Sequence, residues 1–154
     1  MTTSKEVIAQ LNILLKNELT AINQYFLHAK MLKHLGYATF AAQEHAESIE
    51  EMKHADQIME RIFMIGGLPN LQDIGKLRIG ENPIEIIRCD HAMELEVVRD
   101  LREAHRICEE ARDPISTNLV EMILDAEERH LEGLNARLAH IDVLGVQVFL
   151  QTLL

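Results

Sequence analysis

Residues 50–56 read EEMKHAD. Glu51 and His54 are three apart, the spacing that stacks two side chains on one face of a helix. Met52 lies between them and points about 100° away around the axis. One helical turn thus carries a carboxylate and an imidazole side by side, with a thioether facing elsewhere. Of the eight histidines only one other, His130, has a glutamate three positions earlier, in the stretch EERH. With 18 Glu in 154 residues, roughly one such match is expected by chance. The pair of motifs is weak alone, and spacing strengthens it. Glu51 and Glu127 stand 76 positions apart, as do His54 and His130. The same offset carries Glu18, in KNELT, onto Glu94, in HAMELE. Each half of the chain supplies one Glu, then Glu-x-x-His, so the sequence reads as two copies of one helical hairpin.

The surrounding pattern agrees. Apolar residues recur at three and four along most of the chain. A first helix is expected over roughly 5–34, with Val7, Leu11, Leu14, Ile22, Tyr25 and Ala29 on one face, closed by Gly36. A second is expected over 39–65, with Phe40, Ala55, Ile58 and Ile62 inward, stopped by Gly66-Gly67. GLPNLQDIGKLRIGENP reads as a connector rich in turn residues, after which Pro83 suits the first turn of a third helix over 83–111. DPIS is a turn, a fourth helix follows over 115–140, and an apolar fifth segment, DVLGVQVFLQTL, spans 142–153. Short loops at 35–38 and 112–114 make helices one and two, and three and four, antiparallel neighbours. The middle connector has about 16 residues and reaches ~50 Å when extended, whereas a helix of 27 residues is ~40 Å long. It can therefore cross the full length of a four-helix bundle. The fold class is all-α: one domain over 1–154, a four-helix bundle with a long crossover and a short fifth C-terminal helix.

Depth and face bring the repeated residues together. Glu18 stands about 16 residues before its helix ends and Glu51 about 12 after the next begins; Glu94 and Glu127 give about 17 and 12, a mismatch of ångströms at ~1.5 Å per residue. Glu18 continues the row Val7, Leu11, Leu14, and Glu94 lies between Ile87 and Val98. Glu51 leads to Ala55 and Ile58, and Glu127 with His130 lies between Ile123 and Leu134. Four carboxylates are thus aimed into an apolar interior, where each would cost several kcal/mol unpaired. Two metal ions would neutralise them, and a set of carboxylates and imidazoles suits iron or manganese better than thiol-seeking metals. The repeat makes Glu51 and Glu127 the bridging ligands, Glu18 and Glu94 the terminal ones, with His54 and His130 completing one ion each.

Composition bounds the rest. The chain is 47% hydrophobic but only 4% aromatic, without Trp, so Leu, Ile, Val, Ala and Met must build the core. A net charge of −10 disfavours nucleic acid and anionic membrane surfaces as partners. Cys89 and Cys108 form neither a disulfide framework nor a metal knuckle. The opening MTTSKEVIAQLN lacks the basic-then-apolar pattern of a secretory signal, and no apolar run approaches ~18 residues. A cytoplasmic protein is expected.

With these residues in place the sequence resembles the bacterioferritin family over nearly its whole length. LLKNELTAINQYFLHAKM, ESIEEMKHAD and GLPNLQDIGKLRIGE are similar to that family's signature blocks. The resemblance implies an iron store and ferroxidase: a homo-oligomer of 24 subunits that oxidises Fe(II) at an intrasubunit di-iron centre and keeps ferric mineral inside, with the fifth helix packed around four-fold axes. It implies that Tyr25 lies beside the di-iron centre. It implies that Met52, with its two-fold mate, ligates haem b at a subunit interface, with Leu19, Ile22, Asn23 and Phe26 as pocket walls. A small iron–sulfur ferredoxin as release partner, and a second subunit type mixed into one shell, belong to the same implication. One departure is visible. Some relatives pair a His at position 46 with an acid at 50 in a further iron site on the cavity wall. Here Ala46 stands beside His45, so with Glu50 alone that site is expected to be absent or altered.

Two other classes compete. A non-haem ferritin would share every helix and lack the haem, and a di-iron peroxidase or oxygenase of the ferritin-like class would share the six ligands. Rubrerythrin-like enzymes of the second kind normally add a cysteine-rich domain, which two lone cysteines do not supply. DNA-protecting mini-ferritins place their metal between subunits, not among six ligands of one chain.

Overall fold

The computed structural model describes residues 4–154; residues 1–3, the start of the MTTSKEVIAQLN stretch, lie outside it. The elements are α1 (Ser4–Leu35), α2 (Ala38–Met64), α3 (Pro83–Glu110), α4 (Pro114–Leu144) and α5 (Val146–Gln151). Local chemistry sets the ends. Gly36, with φ of 93°, lets the chain leave α1 in the left-handed region. Asn82 and Asp113 cap α3 and α4 through their side chains, each followed by proline in the first turn. Arg61 ties the C-terminal end of α2 to that second cap, 2.8 Å from Asp113 Oδ1 and 2.8 Å from Ser116 Oγ.

The end of the bundle departs from the periodicity. A fourth helix over 115–140 and a fifth segment over 142–153 are expected, but α4 runs unbroken through Leu144 and the break falls at Gly145, with φ of 76°. Nothing between 140 and 144 disfavours a helix, and Ile141 continues the buried row from Leu134. The remaining short α5 folds over the end of the bundle. Phe149 and Leu153 pack with Leu32, Phe40, Ile86 and Ile87, and Phe40 N–H donates to Leu153 O at 3.2 Å. Val146, Val148 and Leu154 stay exposed.

Residues 65–82 cross from the end of α2 to the start of α3 alongside α1, in an extended path without strand partners. Their backbone donors still require acceptors, and α1 supplies them at every fourth residue. Asn12 Oδ1 accepts from Asn70 N (2.8 Å), Thr20 Oγ1 from Gly75 N (2.8 Å), Gln24 Oε1 from Arg78 N (3.0 Å) and His28 Nε2 from Gly80 N (3.0 Å). Lys16 fills the remaining step with an ion pair to Asp73 at 3.2 Å. Spacing of four keeps these residues on one helix face, so α1 holds the crossover as a ladder.

Two apolar clusters result. One gathers Val7, Leu11, Leu14, Ile58, Ile62, Leu101 and Ile123; the other holds Leu32, Phe40, Ile87, Leu134 and Phe149. Between them lies a layer of buried polar side chains from all four long helices. Cys89 and Cys108 remain free thiols.

Candidate metal centre

The six repeated residues meet in that layer. Glu18, Glu51, Glu94 and Glu127 are each 1% exposed or less, and His54 is 4% exposed; His130 is slightly more open. Each helix aims its member inward because it occupies a position of the buried row. His54 Nδ1 stands 3.5 Å from Glu51 Oε2, 3.2 Å from Glu127 Oε1 and 3.6 Å from Glu18 Oε2. His130 Nδ1 stands 3.1 Å from Glu51 Oε1, 3.3 Å from Glu127 Oε2 and 3.8 Å from Glu94 Oε1. Glu51 and Glu127 thus present one oxygen to each imidazole, while Glu18 and Glu94 each serve one side. Two four-residue groups share Glu51 and Glu127, with one candidate ligand atom from each residue lying within 4.8 Å of the others in its group.

Among the described residues no lysine or arginine pairs with these four carboxylates; only the two imidazoles face them. Glu18 Oε2, both oxygens of Glu51, Glu94 Oε2, Glu127 Oε2 and His130 Nδ1 are buried without an aligned hydrogen bond. Buried polar atoms in a native fold have partners, so the orphaned atoms mark a place built for something else. In the metal-free chain protons take it. Burial, then repulsion from Glu51 and Glu127, pushes Glu18 well up. Burial and Glu127 push Glu94 well up. Burial also works to raise Glu51, but its polar contacts with Glu18, His130 and His54 outweigh that and hold it at about 2. His54 is resisted by burial yet raised to about 9 by Glu127 and Glu51. His130 is driven up, against burial, by Glu127, Glu47 and Glu51. These shifts favour hydrogen on Glu18, Glu94, His54 and His130 in the absence of a cation.

The other nitrogen of each imidazole also faces α2. Glu50 Oε1 lies 3.6 Å from His54 Nε2, and Glu47 Oε2 lies 2.5 Å from His130 Nε2. Carboxylates in that position orient metal-binding imidazoles and raise their basicity. The phenol of Tyr25 is buried and donates to Glu94 Oε1 at 2.6 Å. The acidic run Glu44, Glu47, Glu50 was the available signal for the two outer carboxylates, and the polar stripe Asn12, Lys16, Thr20, Gln24, His28 was the signal for the crossover ladder; neither has a counterpart among the sequence motifs.

Met52 is placed differently. It is half exposed on the outer face of α2, beside Ile49, Lys53, Asp56 and Gln57 in a shallow depression. Leu19, Ile22, Asn23 and Phe26 form the adjoining outer stripe of α1. The two stripes meet where the Phe26 ring lies 6.3 Å from that of His45 and where Ser48 Oγ donates to Ile22 O at 2.9 Å. His45 is therefore turned toward Phe26, whereas Glu50 is turned toward His54, and the two do not converge.

A bundle that aims Glu from two helices and Glu-x-x-His from two others at one buried level is the arrangement of ferritin-like di-metal carboxylate proteins. Comparison with known proteins agrees. Residues 8–144 match the model of the ferritin-like domain. The bacterioferritins of Mycobacterium bovis and Rhodobacter capsulatus are each 42% identical over 149 residues, 97% of this chain, covering 94% and 92% of those proteins. That of Streptomyces coelicolor is 40% identical over all 154 residues. The chain belongs to the ferritin-like family, on its bacterioferritin branch.

Proposed function

We propose that this protein stores iron and oxidises it on entry, with Fe(II) as substrate and ferric iron as cargo. The observation that carries this is the sharing of Glu51 and Glu127 between the two imidazoles, which sets two cation positions side by side. Each Fe(II) gives up one electron. A pair delivers the two that, with two protons, reduce O₂ to hydrogen peroxide, or reduce hydrogen peroxide to two waters. Glu18 with His54, and Glu94 with His130, complete the two positions. Such a set leaves room for an oxidant, and the hydroxyl of Tyr25 holds Glu94 in place.

Assembly as a cage, a homo-oligomer of 24 copies, with or without a second subunit type, is part of the proposal. The apolar residues that α5 leaves exposed need cover of this sort. Haem b belongs to it too. The exposed thioether of Met52, flanked by apolar residues of α1 and α2, is a soft neutral donor suited to haem iron. Haem so held would carry electrons for reducing stored ferric iron, with a small iron–sulfur ferredoxin as donor. Among the described residues no helix is long and apolar enough to cross a membrane, and the cytoplasm is the compartment proposed.

Stopped-flow oxidation of Fe(II) tests the central claim. Glu51→Ala or His130→Ala should abolish the rapid phase while particles of unchanged mass still assemble. Rapid oxidation at the wild-type rate in either variant overturns the reading.

A further inference from the structure

A second buried polar cluster lies in the same layer, on the side of the crossover. It joins His28 of α1, Glu44 of α2 and Asp90 of α3, exposed by 0%, 3% and 0%. Ligand-capable atoms of the three lie within 4.8 Å of one another, as in the two positions described above. By residue type alone this is a third cation site.

Hydrogen-bond roles argue otherwise. Gly80 N–H donates to His28 Nε2 at 3.0 Å, so that nitrogen carries the lone pair. In a neutral imidazole the hydrogen is then on Nδ1, which points at Asp90 Oδ1, 2.9 Å away. A protonated Nδ1 is no metal ligand, and Asp90 Oδ1 already takes a second hydrogen bond, from Gln24 Nε2 at 3.0 Å. Two oxygens remain without a donor, Asp90 Oδ2 and Glu44 Oε2, both buried. The two carboxyl groups lie close together, and two adjacent buried acceptors need one hydrogen between them.

We propose that Glu44 and Asp90 share a single proton, so that this cluster is a permanent proton site and not a third metal site. The groups facing the pair agree with one held proton. His28 and Tyr25 approach from α1, Glu47 from α2 and Arg137 from α4. Burial, followed by the closeness of Asp90, pushes the Glu44 carboxyl well up, and Arg137 offsets only part of this. Arg137 itself sits 4.3 Å from the centre of the Phe40 ring and also bonds Gln43. The proton has a structural task. Asp90 can hold Gln24 and His28 only while Glu44 does not repel it, and those two residues hold the backbone of Arg78 and Gly80. A cation drawn into the cluster would pull Asp90 away from both. Glu44 also lines a cavity of about 360 Å³ with Tyr25, Glu47 and His130, and as a neutral acid it offers an entering cation no competing anchor.

Infrared spectroscopy of the assembled protein loaded with Zn²⁺ tests this. Zinc is redox-inert and discharges the protons of Glu18 and Glu94, leaving only Glu44–Asp90 as a buried acid. The wild type should keep a carboxylic-acid carbonyl band at zinc saturation, and Glu44→Gln should lack it. The amide of Glu44→Gln can still donate to Asp90, so the fold is retained; Asp90→Asn is the second variant and should lose the band too. Zinc should reach the two positions of each subunit in wild type and variants alike. A third zinc bound by wild type but not by Glu44→Gln, or no acid band at saturation, overturns the proposal. If zinc fails to fill the two shared positions, the metal reading falls instead, and the wild-type-minus-variant difference still decides the proton.

Discussion

Filling the metal centre should expel close to four protons per subunit at pH 7. In the metal-free chain Glu18 and Glu94 are held as neutral acids by burial and repulsion. His54, raised to about 9, and His130, raised further, are held as imidazolium. Glu51, at about 2, is already ionised. Two divalent cations bring four positive charges in place of four protons, so the exchange leaves the buried charge unchanged. Each proton displaced makes binding pH-dependent by about 1.4 kcal/mol per unit. Loading both positions should therefore weaken by about 5 kcal/mol for each unit of acidification near neutrality. The sign is set by the metal-free state holding the extra protons: affinity falls as pH falls. Above pH 9 the His54 proton is already gone and the count should drop by about one. Zinc titration of the metal-free protein, by calorimetry in two buffers of different ionisation enthalpy, measures the number. A release of two protons or fewer at pH 7 refutes the reasoning, since it means that the carboxylates stay ionised side by side in the metal-free interior.

Three further outcomes follow from other parts of the molecule. Purified protein should show a haem Soret band that Met52→Leu removes without changing the Fe(II) oxidation rate; a band that survives places the haem elsewhere. Tyr25→Phe removes the donor to Glu94 Oε1 and leaves that oxygen unpaired, which typically costs about 1–3 kcal/mol. It should slow Fe(II) oxidation by roughly tenfold or more by the same measure, and an unchanged rate denies Tyr25 a part. Thr20→Val deprives Gly75 N–H of its acceptor in the crossover, at about 1–2 kcal/mol. Hydrogen exchange at Gly75 should speed by roughly tenfold, while exchange in α4 stays as it is.

What the sequence discloses and what it hides divide along the repeat. Glu18, Glu51 and His54 recur 76 positions on as Glu94, Glu127 and His130, so the six side chains of the buried carboxylate–imidazole cluster appear as a pattern before any coordinates exist. The buried cluster of His28, Glu44 and Asp90 has no such echo. The same offset carries His28 to Ala104, Glu44 to Val120 and Asp90 back to Leu14, three residues at the heart of one apolar cluster. Tyr25 maps onto Leu101, also buried among them. Polar residues in one half thus stand where the other half is hydrocarbon. The crossover accounts for the difference: it runs along α1, and the backbone donors of Asn70, Gly75, Arg78 and Gly80 take their acceptors from that helix. Thr20, Gln24 and His28 answer backbone groups, which leave no trace in residue identity, so their spacing of four reads as an ordinary polar stripe. The end of α4 was hidden for another reason. A helix stops where a residue disfavours it, and Gly145 is the first to do so after Gly133. The two-fold part of the chain therefore encodes a buried cluster of four carboxylates and two imidazoles, and the part that breaks the two-fold encodes how a single connector is held against it. On this division, a substitution at Asp90 should loosen the crossover before it disturbs Glu18, whereas one at Glu51 should do the reverse.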